Sequence, residues 1–203
     1  MQTVKTILIC AAISGICIFG LVMFQNMCVE LFIQWGWEMR IDPATEWERI
    51  FGNGSFGAFC IAFVLVGILP PIYEELIFRF GICKGLKKWT KLREPWIIII
   101  SATLFMLWHL SFSQSVYQFI MGVFFARIYL KTDNILWTML IHFINNAFIL
   151  TYTYLVGVSA EPFVLSFGSI ALTIVLAVVS VFAVHFLIKI GFRAKELPNE
   201  QRQ

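Results

Sequence analysis

The sequence predicts an all-α, polytopic membrane protein. Of its 203 residues, 60% are hydrophobic and only 13% are charged, and the mean hydropathy is +0.84. Soluble domains carry about 25% charged residues, so a single soluble core could not hide this much apolar surface. The apolar runs are long and continuous and do not alternate with a period of two, which favours helices over a β-barrel.

About six transmembrane helices are expected, all within one membrane domain that spans residues 1–203. The first apolar run, from Val4, is too long for a signal peptide and is interpreted as the first helix. No internal repeat divides the chain. The expected spans, in order, are residues 4–24, 55–69 with a helical continuation over 72–85, 95–110, 116–130, 135–154 and 163–190.

The distribution of basic residues favours an orientation with both termini in the cytoplasm. The 84–94 loop carries five basic residues and one acid, so the positive-inside rule makes it cytoplasmic. The expected crossings then bring the amino end, the 131–134 turn and the carboxyl tail, with Arg193, Lys195 and Arg202, to that same side.

The longest polar connection, residues 26–53, is expected on the opposite side and carries five acidic residues against two basic ones. A shorter turn, residues 157–162, is expected on that side too. The tryptophans of the long connection are expected to rest at the bilayer interface, where indole rings prefer to sit: Trp35, Trp37 and Trp47.

Two adjacent acids, Glu74 and Glu75, follow a pair of prolines at the end of the second apolar run. The prolines are expected to kink or restart the helix, because neither can donate the backbone hydrogen bond that a continuous helix needs. Residues four apart share a helix face, so Glu75 can pair with Arg79. Glu74 then points about 100° away, free to face a bundle interior. Ionisable groups at membrane depth are expensive to bury, so this stretch predicts a functional site.

Two later helices carry polar residues that could meet these acids. Phe105 and His109 are four residues apart, as are His142 and Asn146. A carboxylate, two imidazoles and an amide are the groups needed to hydrolyse a peptide bond, because a carboxylate takes a proton from water and an amide donates to an oxyanion. Imidazole could position the water, bind a metal or donate to the oxyanion. Asn145 could compete with Asn146, but only Asn146 has the helical spacing to His142.

The two histidines differ in their expected depth. His142 lies about 10 Å into its helix from the cytoplasmic side, whereas His109 lies about 20 Å from Trp96, at the rise of an α-helix. A tilted helix, or one that begins below the surface, must absorb this difference if both histidines serve one site. A cavity open toward the cytoplasmic leaflet is the natural interpretation.

Each group also has a purely structural interpretation. The pairing of Glu75 with Arg79 could simply hold a helix, and a single intramembrane histidine is often an interhelical hydrogen-bonding residue. His185, near the end of the last span, has no acidic or amide companion in the pattern and is interpreted as structural. The catalytic interpretation rests on the joint occurrence of the three groups.

The joint pattern resembles that of the CPBP intramembrane protease family, which includes the type II CAAX prenyl proteases and the bacteriocin-immunity (Abi) relatives. Three motifs carry the resemblance, in the family's order and on successive helices, and they lie within about residues 60–150. They are Glu74-Glu75-x-x-x-Arg79, Phe105-x-x-x-His109 and His142-x-x-x-Asn146.

The resemblance implies a role for each motif residue. Glu74 would be the general base, and His109 would help to hold the attacking water. His142 and Asn146 would form the oxyanion-stabilising pair.

The resemblance leaves the use of a metal open. Zinc could bind Glu74, His109 and His142 and keep one position free. No HExxH motif is present, however, and a glutamate-based hydrolysis without a cofactor is favoured. Glu75 and Arg79 would support the site in either case.

Three classes of function are therefore weighed. The first is an intramembrane endopeptidase of the bacterial plasma membrane, acting on a membrane-embedded or membrane-tethered peptide or protein; a prenylated CAAX substrate is not expected in bacteria. The second is a membrane partner that works without catalysis, such as a bacteriocin self-immunity factor or a sensor-kinase regulator. The third, a small transporter, fits poorly because repeat symmetry is missing. No nucleic-acid partner is expected.

Overall fold

The protein is known from a computed structural model that describes residues 2–36, 48–111, 114–156 and 166–192. These residues form helices and short connections, with no strand among them, so the all-α prediction is confirmed. The interfacial Trp37 and Trp47, the 157–162 turn and the basic tail from Arg193 lie outside the described residues. Within the described ranges, four helices are long and apolar enough to cross a membrane: Val4–Gln34, Phe56–Trp89, Ile135–Val156 and Gly168–Gly191.

The chain is therefore a multi-pass, all-α membrane protein, while the expected six crossings and the cytoplasmic termini stay predictions. Two of the four long helices are rods in which short π-helical segments interrupt the α-helix. The first rod is α1 (Gln2–Ile16), π1 (Cys17–Leu21) and α2 (Val22–Gln34). The second is α3 (Phe56–Ala62), π2 (Phe63–Ile68), α4 (Leu69–Glu75), π3 (Leu76–Cys83) and α5 (Lys84–Trp89). Further helices are α6 (Glu94–Trp108), α7 (Ser115–Thr132), α8 (Ile135–Val156) and α9 (Phe167–Gly191).

The first rod extends ten residues beyond its predicted end, through Gln34 instead of residue 24. The span was predicted to end at Phe24 because the apolar run ends there and Gln25 and Asn26 are polar. In the structure Gln25 is buried, and its side-chain oxygen accepts a hydrogen bond of 2.9 Å from the backbone N–H of Tyr117. A polar side chain that finds a partner inside the bundle does not end a helix.

The paired prolines do not break the second rod. Pro70 and Pro71 lie in the first turn of α4, where a missing N–H removes no hydrogen bond within that α-helical segment. The wider π2 turns precede them, and α4 starts again at Leu69. Restarting, one of the two predicted alternatives, is therefore the observed behaviour.

The bundle gathers its basic segments at one end. A cluster of buried residues joins Cys83, Ile97 and Tyr129, at the close of the second rod, the start of α6 and the close of α7. The rings of Trp137 and Phe192 meet with centroids 6.2 Å apart, which adds the start of α8 and the residue after α9. This end, called the basic end below, comprises residues 84–97, 127–137 and 185–192.

The opposite end is aromatic. Phe51 is fully buried against Phe59 and Tyr154, and the Tyr154 hydroxyl donates to the Gly54 carbonyl over 3.1 Å. Between the two ends, α6 is short: its 15 residues rise about 22 Å, less than the roughly 30 Å of a hydrocarbon core. Because α6 starts at the basic end, its last residues finish inside the bundle.

Candidate active site

The second rod buries both acids of the first motif. Glu74 and Glu75 close α4 and are almost inaccessible to solvent. One turn later, Arg79 Nε lies 3.0 Å from Glu75 Oε2, and both side chains are fully buried. The predicted pairing of Glu75 with Arg79 is therefore confirmed.

Aromatic rings surround the Arg79 guanidinium. Its central carbon lies 4.7 Å from the ring centroid of Phe105, 5.2 Å from that of Phe125 and 5.9 Å from that of Phe78. The faces of these rings attract a cation, which offsets part of the cost of burying it. The Nη1 and Nη2 atoms make no hydrogen bond to the described part of the chain. The Glu75 carboxylate and these three rings, called the aromatic box below, thus stabilise the buried guanidinium charge.

His142, on α8, lies between the two acids. Its Nδ1 is 3.2 Å from Glu75 Oε1, and its ring stacks on Phe125 with centroids 5.1 Å apart. An ionised carboxylate can only accept a hydrogen bond, so Nδ1 must carry the hydrogen. In the neutral ring Nε2 then keeps its lone pair, and this atom lies 3.7 Å from Glu74 Oε2.

His109 follows the last residue of α6. Its Nδ1 lies 2.8 Å from the backbone carbonyl oxygen of Phe105, which likewise requires a hydrogen on Nδ1. Its Nε2 lies 3.8 Å from Glu74 Oε2. The next residue, Leu110, has a positive φ of 47°, a left-handed conformation that stops the helix directly after the histidine.

Three atoms that all accept hydrogen bonds therefore converge: Glu74 Oε2 and the Nε2 atoms of His109 and His142. Each of the two Nε2 atoms is too far from Glu74 Oε2 for a direct hydrogen bond. Glu74 Oε2 is buried and has no hydrogen-bond partner among the described residues. His109 follows the full length of α6, whereas His142 lies about two turns into α8, and both imidazoles still reach Glu74. The packing of the two helices therefore absorbs the expected difference in depth between the histidines. The arrangement suits a small molecule that donates hydrogens, such as water.

The spacing of these three groups is wide for zinc. Tetrahedral zinc with ligands at about 2.0–2.1 Å keeps neighbouring ligand atoms about 3.3 Å apart. Glu74 Oε2 is instead 3.8 Å and 3.7 Å from the two imidazole nitrogens. Within the described ranges, no group of three His, Cys, Asp or Glu side chains has the arrangement of a metal site. In this geometry the residues do not fit a zinc ion.

Asn146 lies one turn beyond His142 but contacts a different group. Its Nδ2 donates to the Val66 carbonyl over 3.1 Å, and no hydrogen bond or ion pair is found between Asn146 and Glu74 or either histidine, all of which are described. Val66 is the residue four before Pro70, whose ring nitrogen has no hydrogen to give to that carbonyl. The proline thus frees the acceptor that Asn146 binds, and one of the two amide hydrogens remains for another partner.

Sequence reasoning missed a second polar contact on α8. Tyr117 Oη donates to Asn145 Oδ1 over 2.5 Å, and the Tyr117 backbone N–H is the group held by Gln25. Asn145 is buried and therefore serves the junction of α2, α7 and α8. Nothing in the spacing of Tyr117 or Gln25 identifies them as contact residues. By contrast, the sequence does indicate the free Val66 carbonyl, because Val66 lies four residues before a proline.

The comparison with protein families bears directly on this geometry. Residues 54–148 match the family model described as Type II CAAX prenyl endopeptidase Rce1-like. Over these residues, the chain is similar to the Rce1-like family. The matched segment contains all three motifs, so the resemblance drawn from them is confirmed. The comparisons with curated proteins and with solved structures gave no match.

The Rce1-like segment runs from just before α3 to the middle of α8. It therefore includes every residue that converges on Glu74 and the aromatic box around Arg79. The first rod and α9 lie outside it. They pack on the segment from the outside, for example where the Ser14 hydroxyl donates to the Ile141 carbonyl over 3.0 Å.

Proposed function

We propose that this Rce1-like protein is an intramembrane endopeptidase that hydrolyses a peptide bond of a membrane-tethered or membrane-embedded substrate. The observation that carries the proposal is the convergence on Glu74: a buried carboxylate oxygen faces two imidazole nitrogens at 3.7 and 3.8 Å. A water molecule there can donate one hydrogen to Glu74 and the other to one of the two imidazoles. The proposed location is the bacterial plasma membrane.

In the proposed reaction Glu74 is the general base. It removes a proton from the water, whose oxygen attacks the carbonyl carbon of the scissile peptide bond. The tetrahedral intermediate then collapses, the carbon–nitrogen bond breaks, and the proton returns from Glu74 to the departing amine. A positioned base of this kind contributes about 10²–10⁴-fold to the rate. His109, whose Nε2 is an acceptor, orients the water.

His142 and Asn146 are proposed to stabilise the oxyanion. Since Nδ1–H of His142 is directed at Glu75, the ring can donate from Nε2 only when both nitrogens carry hydrogens. Asn146 donates one amide hydrogen to Val66, and the second is the one available to the intermediate. Loss of a single oxyanion donor costs about 10²–10³-fold in rate.

Glu75 and Arg79 are positioning residues in this proposal. Glu75 holds the His142 tautomer through Oε1 and the guanidinium through Oε2. Both histidine rings also contact Phe105, with centroids 4.8 Å from His109 and 5.8 Å from His142. The proposed mechanism has no metal step.

The test uses the purified protein in lipid nanodiscs with quenched fluorescent peptides that carry a palmitoyl, a farnesyl or a transmembrane anchor. Glu74→Gln should lower the cleavage rate by about 10²–10⁴-fold. Glu94→Gln, which removes an exposed acid at the basic end, should cleave at the parent rate. Cleavage by the Glu74 variant at the parent rate would overturn the mechanism. Failure of the parent protein to cleave any of the peptides would favour a partner or immunity role without catalysis.

A further inference from the structure

Four basic side chains from two helices, α7 and α9, meet at the basic end of the bundle. Arg127 and Lys131 are four residues apart on α7, and His185 and Lys189 are four apart on α9. Arg127 Nη2 lies 3.5 Å from His185 Nε2. These four residues are called the basic quartet below. The two basic residues of α7 thus face the two basic residues of α9.

Lys131 fastens the quartet to the end of α9. Its Nζ donates to the Ile188 carbonyl over 2.8 Å and to the Lys189 carbonyl over 2.9 Å. These carbonyls belong to the last turn of α9, where no intrahelical N–H remains for them and a cation is favourable. Arg127 and Lys189 nevertheless lie close enough to Lys131 for their charges to repel its ammonium group.

No acid balances this group within the described part of the chain. The ion pairs found there join other residues, and none of them includes Arg127, Lys131, His185 or Lys189. Asp133, in the turn beyond Lys131, is exposed and is not among the partners of the quartet. By contrast, the exposed Lys87 at the same end pairs with Glu94 over 3.4 Å. The quartet therefore carries an excess of positive charge that repels itself.

The surface beside the quartet is apolar. Phe182 and Phe186, before and after His185 on α9, are 71% and 58% exposed. Both belong to Gly168–Gly191, a helix apolar enough to cross a membrane. Since that helix ends two residues beyond Lys189, the quartet lies where an apolar surface gives way to the polar headgroup region. A ligand that fits this place has an anionic head and an apolar tail.

We propose that the basic quartet binds the phosphate group of an anionic phospholipid, with the acyl chains lying along the exposed phenylalanines of α9. Arg127 and Lys189 supply hydrogen bonds and charge to the phosphate, and Lys131 has one ammonium hydrogen left for it after its two carbonyls. The bound phosphate removes the repulsion between α7 and α9. The proposal does not depend on the reaction at Glu74.

The experiment measures lipid binding to the full-length protein by native mass spectrometry. The probes are dioleoyl phosphatidylglycerol, dioleoyl phosphatidylcholine, which has no net charge, and inorganic phosphate. Arg127→Gln/Lys189→Gln is compared with Lys88→Gln/Lys91→Gln, which removes the same charge from the same end. Two lost basic contacts should weaken phosphatidylglycerol binding about 30-fold, while the control pair changes it less than about threefold.

The outcomes separate the possible sources of binding. The proposal is supported by selective loss of phosphatidylglycerol in the quartet variant, and each single substitution should then show a part of the loss. Equal loss in both double variants would show diffuse attraction to the surface and would overturn the site. If inorganic phosphate displaces phosphatidylglycerol at equal concentration, the quartet binds free anions and the lipid assignment is overturned. Equal affinity for phosphatidylcholine would likewise overturn the assignment.

Discussion

Two arginines of the helical bundle, Arg79 and Arg127, are in opposite situations. Arg79 is fully buried, pairs with Glu75 and lies among three aromatic rings. Arg127 is exposed, and its described polar contact is another basic residue, His185. A buried charge survives only with compensation inside the protein, because removing it from water costs several kcal/mol. An exposed charge at the membrane surface can find its counterion outside the protein. The comparison indicates that the partner of Arg79 lies inside the bundle and that of Arg127 outside it.

The largest stability effect is expected at the buried pair. Glu75→Ala leaves the Arg79 guanidinium without its carboxylate, and breaking a buried pair costs about 3–5 kcal/mol. The free energy of unfolding is measured by circular dichroism in mixed micelles. Glu94→Ala, which breaks an exposed pair with Lys87, should cost less than about 1 kcal/mol. If the two substitutions cost the same, the buried pair is not what holds this part of the bundle.

A smaller effect is expected where Asn146 binds Val66. Asn146→Ala leaves the Val66 carbonyl without its donor, at a cost of about 1–3 kcal/mol in unfolding free energy. Pro70→Ala supplies a backbone N–H that can take the place of the amide. The double variant should therefore be more stable than the sum of the two single changes predicts. Strict additivity would mean that the proline does not set up this acceptor.

The smallest effect is expected at the exposed arginine. Arg127→Gln removes a charge that neighbouring cations repel, so the unfolding free energy in neutral detergent should change by less than about 0.5 kcal/mol. Arg79→Gln, the same substitution at the buried site, should cost several kcal/mol. Thermal unfolding of both variants in the same detergent makes the comparison. Similar losses would contradict the distinction between compensated and uncompensated charge.

Much of the site follows from helical spacing. The four-residue spacing predicts the contact of Glu75 with Arg79, and it leaves Glu74 to face the histidines, as observed. Spacing fixes directions within one helix, so it predicts partners on the same helix well. The continuous apolar runs predict where the four long helices lie, although the first extends ten residues beyond its predicted end.

Contacts between helices are harder to predict. The partner of Asn146 depends on how α8 is rotated against the second rod, and no period in the sequence records that rotation. The same holds for the hydrogen bond of Tyr117 with Asn145 and for the burial of Gln25. Polar residues in an apolar bundle show that partners exist; only the packing shows which ones they are.

The central claim is that the adjacent acids have different tasks: Glu74 performs the chemistry, and Glu75 holds the site. The most direct measurement compares Glu74→Gln with Glu75→Gln for both unfolding free energy and cleavage of the anchored peptides. Glu74→Gln should lose about 10²–10⁴-fold in rate and keep its stability, because Oε2 has no hydrogen-bond partner to lose. Glu75→Gln should lose stability through Arg79 and His142. A Glu74 variant that cleaves at the parent rate, or that unfolds as readily as the Glu75 variant, would contradict the account.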